Sequence, residues 1–444
     1  MLDARRVWCN DLGRNDSEVM RVVRRRWLAA GVVVLLVAIG GAATAQQKVT
    51  FPDDGLEGAI RDAVFKTSGT LYDYDVSWLT VLDASGRGIA NLGGIGACSS
   101  LRDVDLRGNS IDNLSPLEDL AVLQRLYLDD NEISNLSPLR AVPQLIELTL
   151  GGNTIDDIGP LEPLVFLERL QLDDADADDL EPLRGMSHLE VLVIRCAPNT
   201  DLSPIQALGA LQRLDVECDG PFDLTALGRM DGLIDLELVS TRIDDFAPLR
   251  WVDSLQSVRL GKMTIDSLVP LVDAAPQLTR FGLEDMSLPD LAPLSGLSEL
   301  RALQFARVDL ADLGIFLSFP DLTEAEVNGC GLSDIGVIGA IDELTVLNVA
   351  NNEIADLTLI SSLVHLEHLV LDGNPVADIS ALRDVRDLKH LHLASTDVTD
   401  ISVLLELPDL EDVDLRDTPL NLGAGSAAST VIDRLRNRGV EVET

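Results

Sequence analysis

The sequence predicts an α/β solenoid in which one short unit is repeated about sixteen times. Three observations predict it. A leucine opens a unit every 22 residues, at 79, 101, 123, 145, 167, 189, 211, 233 and 255. After one extra residue near Ala275 the series resumes at 278, 300, 322, 344, 366, 388 and 410. Within each unit apolar residues keep fixed places, so what repeats is a set of core positions. The chain is 46% hydrophobic but only 4% aromatic, enough for a long core built on leucine.

Each element of the unit has a physical reason. Apolar residues at positions 1, 4 and 6, as in Leu101, Val104 and Leu106, make a short strand with one face inward. Position 9 is often asparagine (Asn109, Asn131, Asn153, Asn352, Asn374), whose amide can satisfy backbone groups of the neighbouring coil and stack into a ladder. An apolar position 11 returns the chain to the core. Position 13 is Asp or Asn in fourteen of the first fifteen units, Ser267 being the exception, and precedes Leu-x-Pro-Leu in many of them. Such a residue caps a short outer turn, with Pro early in the turn where its missing N–H does no harm. Stacked at ~4.8 Å per parallel strand, the units give an inner arc on the order of 75 Å.

The ends read differently. Residues 46–78 are an N-terminal cap with a helix around Leu56 to Phe65, 79–422 the repeat array, and 423–444 a C-terminal cap of a helix and a final short strand. Ahead of these, residues 20–45 run from a basic cluster (Arg21, Arg24, Arg25, Arg26) through an apolar stretch to Ala43-Thr44-Ala45. That order is a signal peptide, or an anchor if uncleaved, and residues 1–19 read as an extension upstream of it. The expected location is secreted or at the cell surface. Removing residues 1–45 takes away seven basic and four acidic side chains, leaving 27 and 70, a net charge of −43 against −40 for the whole chain. So acidic a chain is a poor ligand for nucleic acid.

The unit "NSIDNLSPLEDL" (109–120) and the entry segment from "VTFPDDGLEGAIRDAVF" to "LDASGRGI" resemble the internalin-like class of bacterial leucine-rich-repeat proteins, over roughly residues 49–440. The resemblance implies a leucine-rich-repeat horseshoe with a parallel inner β-sheet, short 3-10 or helical turns outside, and a cap at each end. It also implies a non-catalytic scaffold that binds a protein or glycan through the concave face. The aromatic-poor inner positions set this chain apart, so the host-receptor role of internalins is not implied.

Positions 3, 5 and 7 face the concave side. There Arg125, Tyr127, Arg169, Arg195, Arg213, Arg259 and Arg280 are candidates for a carboxylate-bearing partner, against the plainer reading of charge balance on a solvated face. His368, His390 and His392, with Asp412 and Asp414 on the next strand, are placed to bind zinc or form a pH-sensitive patch, or simply to be a polar face. Cys196 and Cys218 share position 8 in adjacent units, with Cα atoms ~5 Å apart, within disulfide range. The run Asp173, Asp174, Asp176, Asp178 and Asp179 lacks the glycine and glutamate of a calcium loop. Beside it Ala175 and Ala177 replace the ladder Asn and the core Ile, which predicts a looser coil. No HExxH or nucleophile elbow is present, so neither catalysis nor a cofactor is expected. The reading is a monomer that meets a membrane only through its N-terminal segment, if that segment is uncleaved. Two alternatives stand beside it: a cytoplasmic regulatory subunit, and a metal-binding protein using the histidines.

Overall fold

In the computed structural model of the chain, Leu101, Val104, Leu106, Ile111, Leu114, Leu117 and Leu120 of the second unit are all at most 1% exposed. The same positions are filled from unit to unit, so burial runs as one apolar core from Phe51 to Val440. The structure describes residues 47–444 except 178, 198–199, 219, 221–222, 240–241, 244, 288–289 and 311–312, and the backbone alone at 173–177. The segments read as 1–19 and 20–45 lie outside the described residues.

Alternation puts the other face of each strand outward, and lateral pairing follows the period. Asp103 stands opposite Arg125, and Arg125 opposite Glu147. Seventeen parallel strands pair in chain order from Val81–Asp83 to Glu441–Glu443, sixteen from the repeat units and the last from the C-terminal cap. The outer side holds fourteen 3-10 turns and one α-helix, Val269–Ala274, among the described residues. That helix belongs to the unit lengthened by one residue near Ala275.

The position-13 residues do what their chemistry predicts. In all fourteen described cases the side chain accepts a hydrogen bond from the backbone N–H two residues on, opening the outer turn. Ser267 does so through its hydroxyl, at 3.2 Å from Val269 N.

The asparagine ladder is equally literal. Asn131 Nδ2 donates to Leu128 O in its own coil (2.9 Å) and Leu106 O in the preceding one (3.0 Å), while its Oδ1 accepts from Ile111 N (3.0 Å). Asn153, Asn352 and Asn374 repeat the pattern. Cys330 takes a ladder place with Sγ 3.4 Å from Asn328 O. Wherever a ladder Asn stands the strand is three residues long; from Arg169–Ala177 to Glu324–Asn328, where it is missing, strands have five to nine. Three-residue strands also occur without it, at Val81–Asp83, His390–His392 and Asp412–Asp414, where position 9 is Arg87, Thr396 and Thr418. The strand Arg169–Ala177 pairs with Val191–Cys196 through a register shift between Leu172 and Ala177; packing of the Ala177 side chain lies outside the described residues.

At the N-terminal end, Lys48–Val49 pairs antiparallel with Leu71–Tyr72. Helix Asp54–Ala63 begins where Asp53 accepts from Gly55 N and Leu56 N, and buries Leu56, Ala59 and Ile60. It stops short of Phe65, which turns left-handed (φ 55°) and projects into solvent. The C-terminal helix Ala427–Asn437 buries Val431, Ile432 and Leu435 before the last strand.

Candidate functional site

The concave arginines stand on the strand face as their positions predict, and most are tied to carboxylates of the same face. Arg125 lies between Asp103 (3.0 Å) and Glu147 (3.4 Å) on the flanking strands. Arg213 holds Asp215 at 2.9 Å and approaches Glu237 at 3.7 Å. Arg259 reaches Glu237 at 2.9 Å and Gln304 at 2.7 Å. Arg280 meets Glu324 at 3.4 Å while staying half exposed. Arg195 stands opposite Glu217, and Arg169 is exposed at the start of its strand. Tyr127 packs under the guanidinium of Arg107, 5.5 Å from its ring centroid.

These pairs sit close enough together to perturb one another. Burial pushes the Asp215 carboxyl up to about 6, against the pull of Arg213 beside it. Burial also raises Glu284, which Arg307 holds from the neighbouring strand. Arg307 stands at position 8, outside the set read from the strand pattern, and also binds Asp285. The partner acids were visible in the sequence as opposite charges 22 residues apart, such as Asp103 with Arg125 or Glu237 with Arg259.

The histidines gather but do not form a metal centre. His368 and His390 stack face to face, ring centroids 4.2 Å apart and planes at 19°. His390 Nδ1 pairs with Asp412, and His392 lies 3.9 Å from Asp372 and 4.0 Å from Asp412. Asp414 is not available to them: Arg416 binds it through Nε at 2.9 and 3.0 Å. Burial works against the Asp414 charge, but the Arg416 hydrogen bonds outweigh it and lower its pKa. Among the described residues no three His, Cys, Asp or Glu side chains converge on a point that could hold a metal. The metal reading of His368, His390, His392 and Asp414 finds no such group among the described residues. A sheet holds neighbouring imidazoles parallel, which favours stacking over convergence.

Cys196 and Cys218 lie side by side on paired strands, Cα 4.9 Å apart, joined as a disulfide. In both units the strand runs through position 8, where most other described units turn left-handed, so the two sulfurs point into the core.

Comparison with known proteins agrees with the architecture. The family described as "Leucine Rich repeats (2 copies)" matches residues 342–384. No curated protein matches the chain. Among solved structures, the functional domain of InlJ from Listeria monocytogenes, which includes a cysteine ladder, is 21% identical with a TM-score of 0.50. It covers 84% of this chain and 82% of its own. An internalin, InlF, from Listeria monocytogenes is 26% identical with a TM-score of 0.45, over 82% of this chain and 95% of its own. A leucine-rich-repeat protein of Leptospira interrogans is 18% identical with a TM-score of 0.48, over 82% and 95%. With its 22-residue period, ladder and seventeen-stranded parallel sheet, the chain folds as a leucine-rich-repeat solenoid, similar in fold to the InlJ domain.

Proposed function

We propose that this chain is a non-catalytic, extracytoplasmic scaffold, monomeric, that binds a protein or glycan on its concave strand face. The observation that carries the reading is the face itself. Over sixteen units it presents charged side chains whose geometry is set in advance by mutual ion pairs, as in Asp103–Arg125–Glu147 and Arg213–Glu237–Arg259. Pre-ordered side chains lose little freedom on binding, so such a surface suits recognition. Because Arg125, Arg213 and Arg259 are already engaged, the more exposed Arg169 and Arg280 are the side chains a partner meets first, with Tyr127 beneath Arg107 beside them. Export rests on the basic-then-apolar order of residues 20–45.

The test has two arms. Cell fractionation with N-terminal sequencing should recover a chain beginning near residue 46 outside the cytoplasm; an uncut cytosolic chain overturns export and favours a regulatory subunit. Photo-crosslinkers placed at Arg169 and Arg280, compared with sites on the outer turns, should capture an envelope protein or glycan from the concave positions only. Equal capture from both faces overturns the concave reading.

A further inference from the structure

Position 19 of the unit lies on the outer turn, where fourteen of the first fifteen units carry Ala, Asp, Gly, Ser, Pro, Glu or Arg. The remaining one, the eighth, carries Trp251, and its side chain is not absorbed by the fold: the residue is 67% exposed. The repeat serves as its own control, since small and polar residues fill this place elsewhere without an aromatic ring. The indole leaves an aromatic face open on the turn, where a planar or C–H face can stack.

Its surroundings say what would use it. Position 18 of one unit faces position 19 of the next, as Gly96 faces Asp119 and Gly339 faces Ser362. Before Trp251 that place is Gly228, where an added Cβ would lie 3.7 Å from the indole Cδ1 and 3.3 Å from Pro248 O. Gly228 lies in the lining of an open groove of about 460 Å³ between the turns Leu224–Arg229 and Ala247–Trp251. Two guanidinium groups, Arg229 and Arg250, line it. Both are exposed, and among the described residues neither has an ion-pair or hydrogen-bond partner, unlike most arginines of the strand face. The one carboxylate in the lining, Asp245, is held by Ala247 N at 2.8 Å as the cap of its turn. In a chain of net charge −40, the cleft is a local excess of positive charge beside an open aromatic face.

We propose that this outer cleft is a second binding site, specific for an acidic saccharide. The apolar C–H face of a pyranose ring stacks on Trp251, and a ring carboxylate is held by Arg229 and Arg250. A cation is repelled by the two arginines, and a bare phosphate makes no use of the indole. The site is on the opposite side of the coil from the strand face and stands or falls independently of it.

Isothermal titration of the full chain with tetragalacturonate and with neutral galactotetraose tests the proposal. The acidic sugar should bind, and the neutral one at least about tenfold more weakly. W251A, and separately R229Q and R250Q, should each weaken tetragalacturonate binding about tenfold or more. L359A, which trims an exposed apolar side chain on a distant outer turn, should leave it unchanged. All four positions are exposed, and circular dichroism checks that each variant folds. Equal binding of the two sugars, full binding by W251A, or no heat with either sugar at millimolar concentration overturns the site.

Discussion

Arg259 lies across the bare backbone of Gly282 to donate to Gln304, two strands away, at 2.7 Å. Its other amino group donates to Glu237 on the preceding strand at 2.9 Å, so one side chain braces four adjacent strands. The crossing is possible because position 282 has no side chain: a Cβ there would sit 3.2 Å from Arg259 Cγ.

Replacing Gly282 with valine should therefore lift Arg259 off the sheet and break its bond to the buried Gln304 amide. A glycine in a strand is itself weakening, so the single variant mixes gain and loss. A double-mutant cycle separates them. In urea unfolding, Gly282→Val should cost about 1 kcal/mol more in the wild-type background than in Gln304→Leu. Equal costs in both backgrounds would mean that the bridge contributes nothing.

The ladder predicts a larger effect at one atom set. In Asn131→Ala, the buried carbonyls of Leu106 and Leu128 and the N–H of Ile111 lose partners together. Left unsatisfied, these groups cost about 2–4 kcal/mol. Hydrogen exchange should quicken in the coils around Ile111 and Leu128, while the strands from Asp235 to Asn328, which have no ladder Asn, keep their protection. Uniform quickening along the whole array would contradict a local ladder.

The period made the fold legible because each core leucine depends on places within its own unit. The same holds for the position-13 turns, where Asp201 and Asp400 need only a backbone N–H two residues away. What the sequence hid was lateral. Arg125 with Asp103 could be read from a 22-residue offset, but Arg259 with Gln304 skips a strand and depends on an intervening glycine. The histidine cluster was placed on the right strands, but its chemistry was left open by the pattern. Arg416, two residues along from Asp414, captures that carboxylate, and His368 and His390 stack. Strand length also escaped the pattern: strands of five to nine residues run from Arg169–Ala177 to Glu324–Asn328, where the ladder Asn is missing, yet Val81–Asp83, His390–His392 and Asp412–Asp414 stay short without one.

The Cys196–Cys218 disulfide closes a separation of 22 residues where the ladder is missing. In the chain-entropy view a loop of this size contributes about 3 kcal/mol. Cys196→Ala with Cys218→Ala should lower the urea midpoint accordingly, and reductant should shift wild type but not the double variant. Cys98 gives an internal gauge: burial pushes its thiol up to about 12, so alkylation should await unfolding. If reductant leaves the wild-type midpoint unmoved, the bridge adds no stability.

Acid should act on this protein in two opposed steps. Asp215 has its carboxyl pushed by burial from the usual 3.8 up to about 6, so between those values the folded chain holds a proton that the unfolded chain has released. Its contribution is thus full below 3.8 and is lost as pH rises through about 6, which means that stability grows on mild acidification. Burial raises Asp129, Glu284 and Asp372 as well, adding to the same slope. The turn caps work the other way. Hydrogen bonds from Ser203, Thr225, Thr358, Ser380 and Ser402 hold Asp201, Asp223, Asp356, Asp378 and Asp400 below the usual 3.8. Their contribution is present above that value and disappears as pH falls through the lowered one. Stability measured by urea unfolding should therefore peak near pH 4–5, on the order of 1–3 kcal/mol of the rise coming from Asp215. Asp215→Asn should flatten the slope between neutral pH and the peak. Exchanging the five cap aspartates for asparagine should soften the fall below it, because Asn113 and Asn135 already cap their turns without a charge to lose. A stability that declines steadily from pH 7 downward in wild type would show that Asp215 keeps an ordinary carboxyl.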